Sequence, residues 1–184
     1  MLDSAQVLAR TGGRELRRVV YDEDEIRRRV EEMGADITAH YPADEGLLLV
    51  GLLKGSFIFV GDLVRAIARP LQVDFLVASS YGSGTTSSGE VKLLYDPEAD
   101  LRDRHVLLVE DIIDSGNTLN RLIPLLRERG PRSLEMVALL HKRLADRLEL
   151  EPRWVGFDAP NEFLIGYGLD HSEDFRNLPF IASL

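Results

Sequence analysis

The segment from His105 to Leu119, HVLLVEDIIDSGNTL, constrains the fold of this chain more strongly than any other. An aliphatic run ends in two adjacent acids, Glu110 and Asp111, and small polar residues follow from Asp114 to Thr118. A continuous aliphatic run is typical of a strand buried on both faces of a parallel sheet, and the polar cluster is typical of a turn that opens a helix. The segment therefore predicts a strand, a tight turn and a helix, which together form a unit of α/β folds.

The predicted turn also has the composition of a phosphate site. Backbone N–H groups at the start of a helix, with Ser and Thr hydroxyls beside them, can bind a phosphate group. The carboxylates of Glu110 and Asp111 would repel that phosphate unless sugar hydroxyls and Mg²⁺ lay between them. A simple helix cap at Asp114 or Ser115 is the alternative interpretation, but capping does not account for two acids at the end of a strand. The residues therefore favour a site for a phosphorylated sugar with Mg²⁺.

Strand and helix patterns alternate over the rest of the chain. We predict further strands at residues 47–53, 72–79, 91–95, 133–140, 154–157 and 163–167 and near Phe180, and helices at about 24–40, from 54–56 to about 68, and at about 117–129. The polar stretch 82–89, GSGTTSSG, predicts a mobile loop. Alternation of this kind predicts a mostly parallel sheet, whose ligands bind at the carboxyl ends of the strands. Those ends carry Lys54, Ser79, Glu110, Asp111 and His141 or Lys142.

The composition limits the size of the fold and the kinds of partner. The 184 residues suffice for one compact domain, which we place at 17–184 after a flexible extension at 1–16. The net charge of −9 argues against nonspecific binding to nucleic acid. The longest apolar run, Leu47–Leu53, is too short to cross a bilayer, and the N-terminus shows no secretory pattern. We therefore expect a cytoplasmic protein with no nucleic-acid and no membrane partner.

Five segments resemble those of one enzyme family: LLKGSF at 52–57, SSYG at 79–82, VEDIIDSGNTL at 109–119, LLHKR at 139–143 and VGFDAPNEFLIGYGLDHSEDFRNLP at 155–179. From about Val19 onward the chain is similar to the bacterial hypoxanthine-guanine phosphoribosyltransferases, which are type I phosphoribosyltransferases. The resemblance implies a mostly parallel central sheet flanked by helices, with a small C-terminal hood. It implies Mg²⁺-dependent transfer of a 5-phosphoribosyl group from phosphoribosyl pyrophosphate (PRPP) to N9 of hypoxanthine or guanine. The products would be pyrophosphate and IMP or GMP, as in purine salvage, and the protein would be a homodimer or homotetramer.

The resemblance also implies roles for individual residues. Asp114 would be the catalytic general base that handles the proton on N7 of the purine. The ribose and its 5′-phosphate would contact Glu110, Asp111, Asp114, Ser115, Gly116, Asn117 and Thr118. The pyrophosphate would contact Lys54, Gly55, Ser80, Tyr81 and Arg176, and the purine would contact Lys142, Phe163, Leu164 and Asp170. Mg²⁺ would be held by Glu110, Asp111 and Asp170, because hard oxygen ligands suit this ion.

Two residues depart from the family pattern, and several functions stay open. His141 and His171 stand where relatives often carry Asp and Tyr, which leaves base preference open. An ammonium such as that of Lys142 beside the 6-position of a purine favours a 6-oxo over a 6-amino base. The alternatives are a transferase that prefers xanthine or uses a pyrimidine, and a PRPP-sensing regulator that binds RNA. The acidic net charge disfavours the regulator.

Overall fold

The computed structural model of this chain describes residues 4–42, 44–80, 91–145 and 147–184. The helices are α1 Ser4–Arg10, α2 Glu23–His40, α3 Phe57–Ala66 and α4 Asn117–Arg127. The strands are β1 Arg18–Tyr21, β2 Leu47–Leu53, β3 Leu71–Ser80, β4 Val91–Tyr95, β5 His105–Ile113, β6 Ser133–His141, β7 Trp154–Asp158, β8 Leu164–Ile165 and β9 Ile181–Ser183. Within the described part of the chain, none of the helices has both the length and the apolar character needed to cross a membrane.

A six-stranded sheet with the order β4-β3-β2-β5-β6-β7 forms the centre of the molecule. The strands from β3 to β7 in this order are parallel to their neighbours, and only the edge strand β4 runs antiparallel, against β3. The chain builds the sheet outward from β2 in one direction and from β5 in the other. The carboxyl ends of β2 and β5 therefore lie side by side where the strand order reverses, which is where open α/β sheets bind ligands. The predicted mostly parallel sheet is confirmed.

Local sequence signals explain why α2 begins and buries one face where it does. The side chain of Asp22 accepts a hydrogen bond from Glu25 N at 2.8 Å, and the Glu25 side chain accepts one from Asp22 N at 2.9 Å. This reciprocal capping box satisfies two N–H groups that would otherwise lack partners at the helix start. The apolar residues at helical spacing, Ile26, Val30, Met33 and Ile37, are all buried. The helix predicted at about 24–40 is confirmed.

The two faces of the sheet belong to separate hydrophobic cores. One core joins α2 and α3 to alternate residues of the strands, including Leu49, Leu107 and Val109. The other core joins α4 to the residues between them, including Val106 and Leu108. Burial on both faces explains why the strands have continuous aliphatic sequences rather than alternating ones. Each fully buried side chain of this size contributes about 1.5–3 kcal/mol to stability.

A three-stranded antiparallel sheet with the order β1-β9-β8 forms a hood beside the main sheet. Its small core consists of Ile165, Phe175, Leu178, Phe180 and Ala182, against which Val7 and Leu16 pack. The hydroxyl of Tyr167 donates to Asp62 Oδ2 of α3 at 2.7 Å and so links the hood to the main domain. The hood that the resemblance implied is present, but it includes a strand from the N-terminal part of the chain.

Several predicted boundaries differ from the structure. The sequence predicted no regular element before residue 17, which is wrong for α1, and it did not predict β1. The strand predicted at 163–167 is shorter, since only Leu164–Ile165 pairs with β9. Helices α3 and α4 each end two residues earlier than predicted. The predicted loop at 82–89 lies outside the described residues, and the division of the chain at residue 16 stays a prediction.

Candidate active site

A cavity of about 450 Å³ lies at the carboxyl ends of the central strands, beneath the hood. The structure brings nine residues of the predicted site to its wall: Lys54, Gly55, Asp111, Asp114, Lys142, Phe163, Leu164, Asp170 and Arg176. They come from the ends of β2, β5 and β6 and from the hood, so residues distant in sequence meet in one place. The wall also contains residues that the sequence did not single out, namely Leu53, Val77, Ala78, Ile112, Leu169 and Glu173.

The turn after β2 is packed directly against the end of β5. The Leu53–Lys54 peptide bond is cis. A Cβ atom at Gly55 would overlap the carboxylate oxygen Oδ2 of Asp111, so this position has no room for a side chain. A Cβ atom at Gly168 of the hood would likewise overlap the carbonyl oxygen of Gly55. The absence of a side chain at Gly55 therefore lets the turn, the strand end and the hood meet.

Burial disfavours the ionised form of both acids at the end of β5. Burial raises the pKa of Asp111 to about 6, although hydrogen bonds to backbone N–H groups and the charge of Arg176 act in the opposite direction. Burial and the neighbouring Asp111 also raise the pKa of Glu110 well above its usual range. The Oε2 atom of Glu110 is buried and has no hydrogen-bond partner among the described residues. A bound cation or sugar hydroxyls would supply the missing interactions.

The proposed metal ligands do not form a complete coordination site by themselves. Among the described residues, no group of three or more acidic, histidine or cysteine side chains is arranged to hold a metal ion. Asp170 already contacts Arg176 Nη2 at 2.8 Å through Oδ1 and Glu173 N at 2.8 Å through Oδ2. The unpartnered oxygen of Glu110 and the raised pKa of Asp111 still fit a hard cation, since Mg²⁺ usually takes few protein carboxylates and completes its shell with water and phosphate oxygens.

A network of ion pairs lies in the wall of the cavity. The ammonium of Lys54 lies 3.0 and 3.1 Å from the two carboxylate oxygens of Glu173. Arg176 Nη2 lies 3.2 Å from Glu173 Oε2, and its Nη1 donates to the carbonyl of Gly168 at 2.8 Å. Glu173 therefore bridges the two cations proposed to bind pyrophosphate. Sequence reasoning missed it, because an acid three residues from both Asp170 and Arg176 looks like any exposed loop residue.

Asp114 and Lys142 form a second ion pair where β5 and β6 end. Lys142 Nζ lies 3.0 Å from Asp114 Oδ2, and the backbone N–H of Lys142 donates to the carbonyl of Ile113 at 2.9 Å. The Lys142 side chain is only 10% exposed, whereas that of Asp114 is 55% exposed. The lysine is therefore held in place by packing, and the carboxylate is open to a ligand.

Phe163 and the two unusual histidines occupy different environments. Phe163 is 54% exposed at the wall of the cavity, and the ring of His171 meets it edge-on with 5.4 Å between centroids. Leu164 beside it is buried and pairs with Ser183 of β9.

His141 is buried in β6, and its Nδ1 has no hydrogen-bond partner among the described residues. Burial, with the nearby charge of Arg143, lowers the pKa of His141.

The turn that opens α4 lies beside the cavity rather than in its wall. Gly116 adopts φ 74°, in the left-handed region that glycine tolerates best, and a Cβ atom there would overlap the side chain of Leu148. Ser115 and Asn117 are exposed, and Thr118 is half-buried. This turn thus presents polar groups and a helix start next to Asp114. Ser80 is the last residue of β3, and Tyr81 lies outside the described residues.

Comparison with known proteins agrees with this architecture. The model of the phosphoribosyl transferase domain family matches residues 20–172. A hypoxanthine-guanine phosphoribosyltransferase of Dictyostelium discoideum is 44% identical over 91% of this chain and 95% of its own length. The corresponding protein of Bacillus subtilis is 42% identical over 92% of this chain and 94% of its own. The chain spans only 26% of a bifunctional TilS/HprT protein of Listeria monocytogenes, to which it is 44% identical.

Solved structures give the same result. A crystal structure of a hypoxanthine phosphoribosyltransferase from Staphylococcus aureus superposes with a TM-score of 0.89 and 38% identity, covering 99% of this chain and 96% of that one. A hypoxanthine-guanine phosphoribosyltransferase structure from Bacillus anthracis has a TM-score of 0.86 and 39% identity over 92% of this chain and 99% of that one. With the sheet order, the acid pair of β5 and the hood all in place, the chain belongs to the phosphoribosyltransferase family and, within it, to the hypoxanthine-guanine phosphoribosyltransferases.

Proposed function

We propose that this protein transfers the 5-phosphoribosyl group of PRPP to N9 of a 6-oxopurine, hypoxanthine or guanine, and releases pyrophosphate. The observation that carries the proposal is that one cavity gathers Asp114, Lys142 and Phe163 together with Lys54, Gly55 and Arg176. The first three residues suit a flat base, and the last three suit a diphosphate. The sugar would lie between them, next to the acid pair of β5.

The Asp114–Lys142 pair fits the edge of a 6-oxopurine. The 6-oxo group and N7 are neighbouring acceptor and proton-bearing positions, and the two side chains are 3.0 Å apart. Lys142 would donate to the 6-oxo group, and Asp114 would accept the proton of N7 as N9 attacks C1′ of the sugar. A 6-amino group would meet the lysine donor with donors of its own, so adenine is disfavoured. Phe163 would stack on the purine ring.

The remaining residues fit the sugar and the leaving group. Glu110 and Asp111 would bind the ribose hydroxyls and, with Asp170, hold Mg²⁺. When bound, this ion supplies positive charge that offsets the negative charge of the departing pyrophosphate. Lys54 and Arg176 would contact the same pyrophosphate. The 5′-phosphate would lie at the turn from Ser115 to Thr118, at the start of α4, since the first N–H groups of a helix lack intrahelical partners and can donate to an anion.

The family resemblance further supports an oligomer and a place in metabolism. We infer a homodimer or homotetramer that works in purine salvage in the cytoplasm. Size-exclusion chromatography with light scattering tests the oligomeric state, and a monomer under assay conditions would contradict it.

Initial rates with PRPP, Mg²⁺ and each of hypoxanthine, guanine, xanthine, adenine and a pyrimidine base test the proposed reaction. We expect pyrophosphate release with hypoxanthine and guanine and little with adenine. A preference for xanthine, or release only with a pyrimidine, would replace the proposed substrate. Binding of RNA without purine-dependent release of pyrophosphate would overturn the enzymatic assignment.

Replacement of Asp114 tests the proposed base. Asp114→Asn should lower kcat by about 10²–10⁴-fold, the usual contribution of a general base, with little change in PRPP affinity. Asp158→Asn is the matched control, because Asp158 is also an ion-paired aspartate at a strand end, 2.8 Å from Arg143, but does not line the cavity. Equal turnover in the wild-type protein and Asp114→Asn would remove Asp114 from this role.

A further inference from the structure

The N-terminal part of the chain contacts the loop that carries Asp170 and Arg176. Arg14 Nη2 lies 2.8 Å from Asp174 Oδ2. The guanidinium of Arg14 also lies over the ring of Phe175, 3.9 Å from its centroid. These two contacted residues directly precede Arg176, so one arginine outside the cavity touches the two residues before a proposed pyrophosphate contact.

Further contacts attach the same segment to the hood. We call residues 4–16 the N-terminal strap. Arg10 Nη1 donates to the carbonyl of Asn177 at 3.1 Å, at the other end of the loop. Val7 and Leu16 pack against the hood core, in which the Phe175 ring is only 4% exposed. That ring is thus covered by the strap on one side and by the hood on the other.

The loop has a backbone conformation that depends on such external contacts. Ser172, Glu173 and Phe175 have φ values of 56°, 70° and 73°, in the left-handed region that non-glycine residues rarely adopt. His171 and Asp174 exchange two long backbone hydrogen bonds of 3.2 Å. Conformations of this kind persist only where surrounding structure holds them. The strap supplies an ion pair at Asp174, a stacked cation at Phe175 and apolar packing against the hood core that contains Phe175.

We propose that Arg14 is a positioning residue: through Asp174 and Phe175 it holds the 170–177 loop in the geometry that lets Asp170 and Arg176 meet the pyrophosphate end of PRPP. Arg14 does not line the cavity, so its effect would pass through the loop. Residues that support a binding site in this way fix the positions of the side chains that contact the ligand, without touching the ligand themselves. The inference rests on the proposed function and adds to it a role for the N-terminal residues.

Binding of inorganic pyrophosphate with Mg²⁺, measured by calorimetry on the full chain, tests the proposal. Arg14→Ala should raise the Kd of pyrophosphate and the KM of PRPP about three- to tenfold, because the lost ion pair and cation–π contact are each modest at exposed sites. The KM of hypoxanthine should rise less than that of PRPP, since Lys142 and Phe163 lie outside the 170–177 loop. Arg14→Lys should restore part of the affinity, because it keeps the charge opposite Asp174 and loses the planar stacking.

Arg17→Ala serves as the matched control. Its side chain is 70% exposed and pairs with Glu162 at 3.8 Å, in the same region of the chain but away from the loop. A double-mutant cycle of Arg14→Ala with Asp174→Asn should show less than additive losses of pyrophosphate affinity. Additive losses, or an equal rise in the KM of hypoxanthine, would assign Arg14 a general structural role and overturn the proposal.

Hydrogen exchange separates failure of this inference from failure of the proposed function. Amides of residues 170–177 should exchange faster in Arg14→Ala than in the wild-type protein without any ligand. Unchanged exchange at these amides would overturn the role proposed for Arg14 and leave the proposed function untouched. Failure of the wild-type protein to bind pyrophosphate or PRPP would overturn the proposed function.

Discussion

Replacing Asp111 by Asn should stabilise the ligand-free protein at neutral pH. The pKa of Asp111 stands at about 6 instead of 3.8, because burial opposes its ionised form. A pKa difference is worth about 1.36 kcal/mol per pH unit, so ionising Asp111 in the folded protein costs at most about 3 kcal/mol. Partial access to water at the cavity reduces this cost, and we expect Asp111→Asn to gain about 1–3 kcal/mol. Asn can still accept the hydrogen bond from Ile112 N, which is 2.8 Å long.

The gain should depend on pH with a defined sign. Below the unfolded value of about 3.8, Asp111 is protonated in both states and its replacement should change nothing. As pH rises from there to about 6, the unfolded state releases the proton while the folded state keeps it, so the wild-type protein loses stability. Above about 6 the full difference between wild type and Asp111→Asn should be present.

Urea unfolding in the presence of a chelator measures this difference. Unfolding at about pH 7.5 and at about pH 4.5 should give a large gain at the higher pH and a much smaller one at the lower pH. Asp36→Asn, at an exposed position of α2, is the control for the substitution itself. An Asp111→Asn protein no more stable than wild type at neutral pH, or a gain of equal size at both pH values, would refute the reasoning.

Three further predictions concern the cavity and the hood. Gly55→Ala should lower kcat/KM roughly 10²-fold, since a methyl group would displace the Asp111 carboxylate. The control is Gly61→Ala, at a helical position with open space. Normal activity of Gly55→Ala would contradict the observed packing. Glu173→Gln should tighten pyrophosphate binding about two- to fivefold in calorimetry, because Glu173 forms ion pairs with both Lys54 and Arg176 and so competes with the ligand. Weaker binding would mean that Glu173 supports the site instead. Tyr167→Phe should reduce the free energy of unfolding by about 1.5–3 kcal/mol through loss of the bond to Asp62, and an unchanged urea midpoint would count against that bond.

Much of the fold follows from short-range signals in the sequence. The capping box at Asp22 and the apolar residues at helical spacing locate α2 within one residue. The aliphatic run before Glu110 and the small polar cluster after it locate β5, the turn and the start of α4. These elements are predictable because each carries its own signal of capping or periodicity. The resemblance of quoted segments then assigned roles to residues such as Lys54 and Arg176, which their local patterns alone do not distinguish from surface cations.

Tertiary structure decided the features that depend on residues distant in sequence. Four residues of β1 form a strand because Arg18 and Val19 pair with Ser183 and Ala182 at the other end of the chain. Glu173 becomes part of the cavity wall only because the hood places it against Lys54.

The same reason applies to the N-terminal strap. Without the hood core and Phe175 as partners, Val7, Arg14 and Leu16 form no pattern. The sequence by itself determined the sheet and the acid pair, whose signals are local. Folding determined the hood, the ion pairs of Glu173 with Lys54 and Arg176, and the support for the 170–177 loop. Each of these features arises from contacts between segments that no local pattern connects.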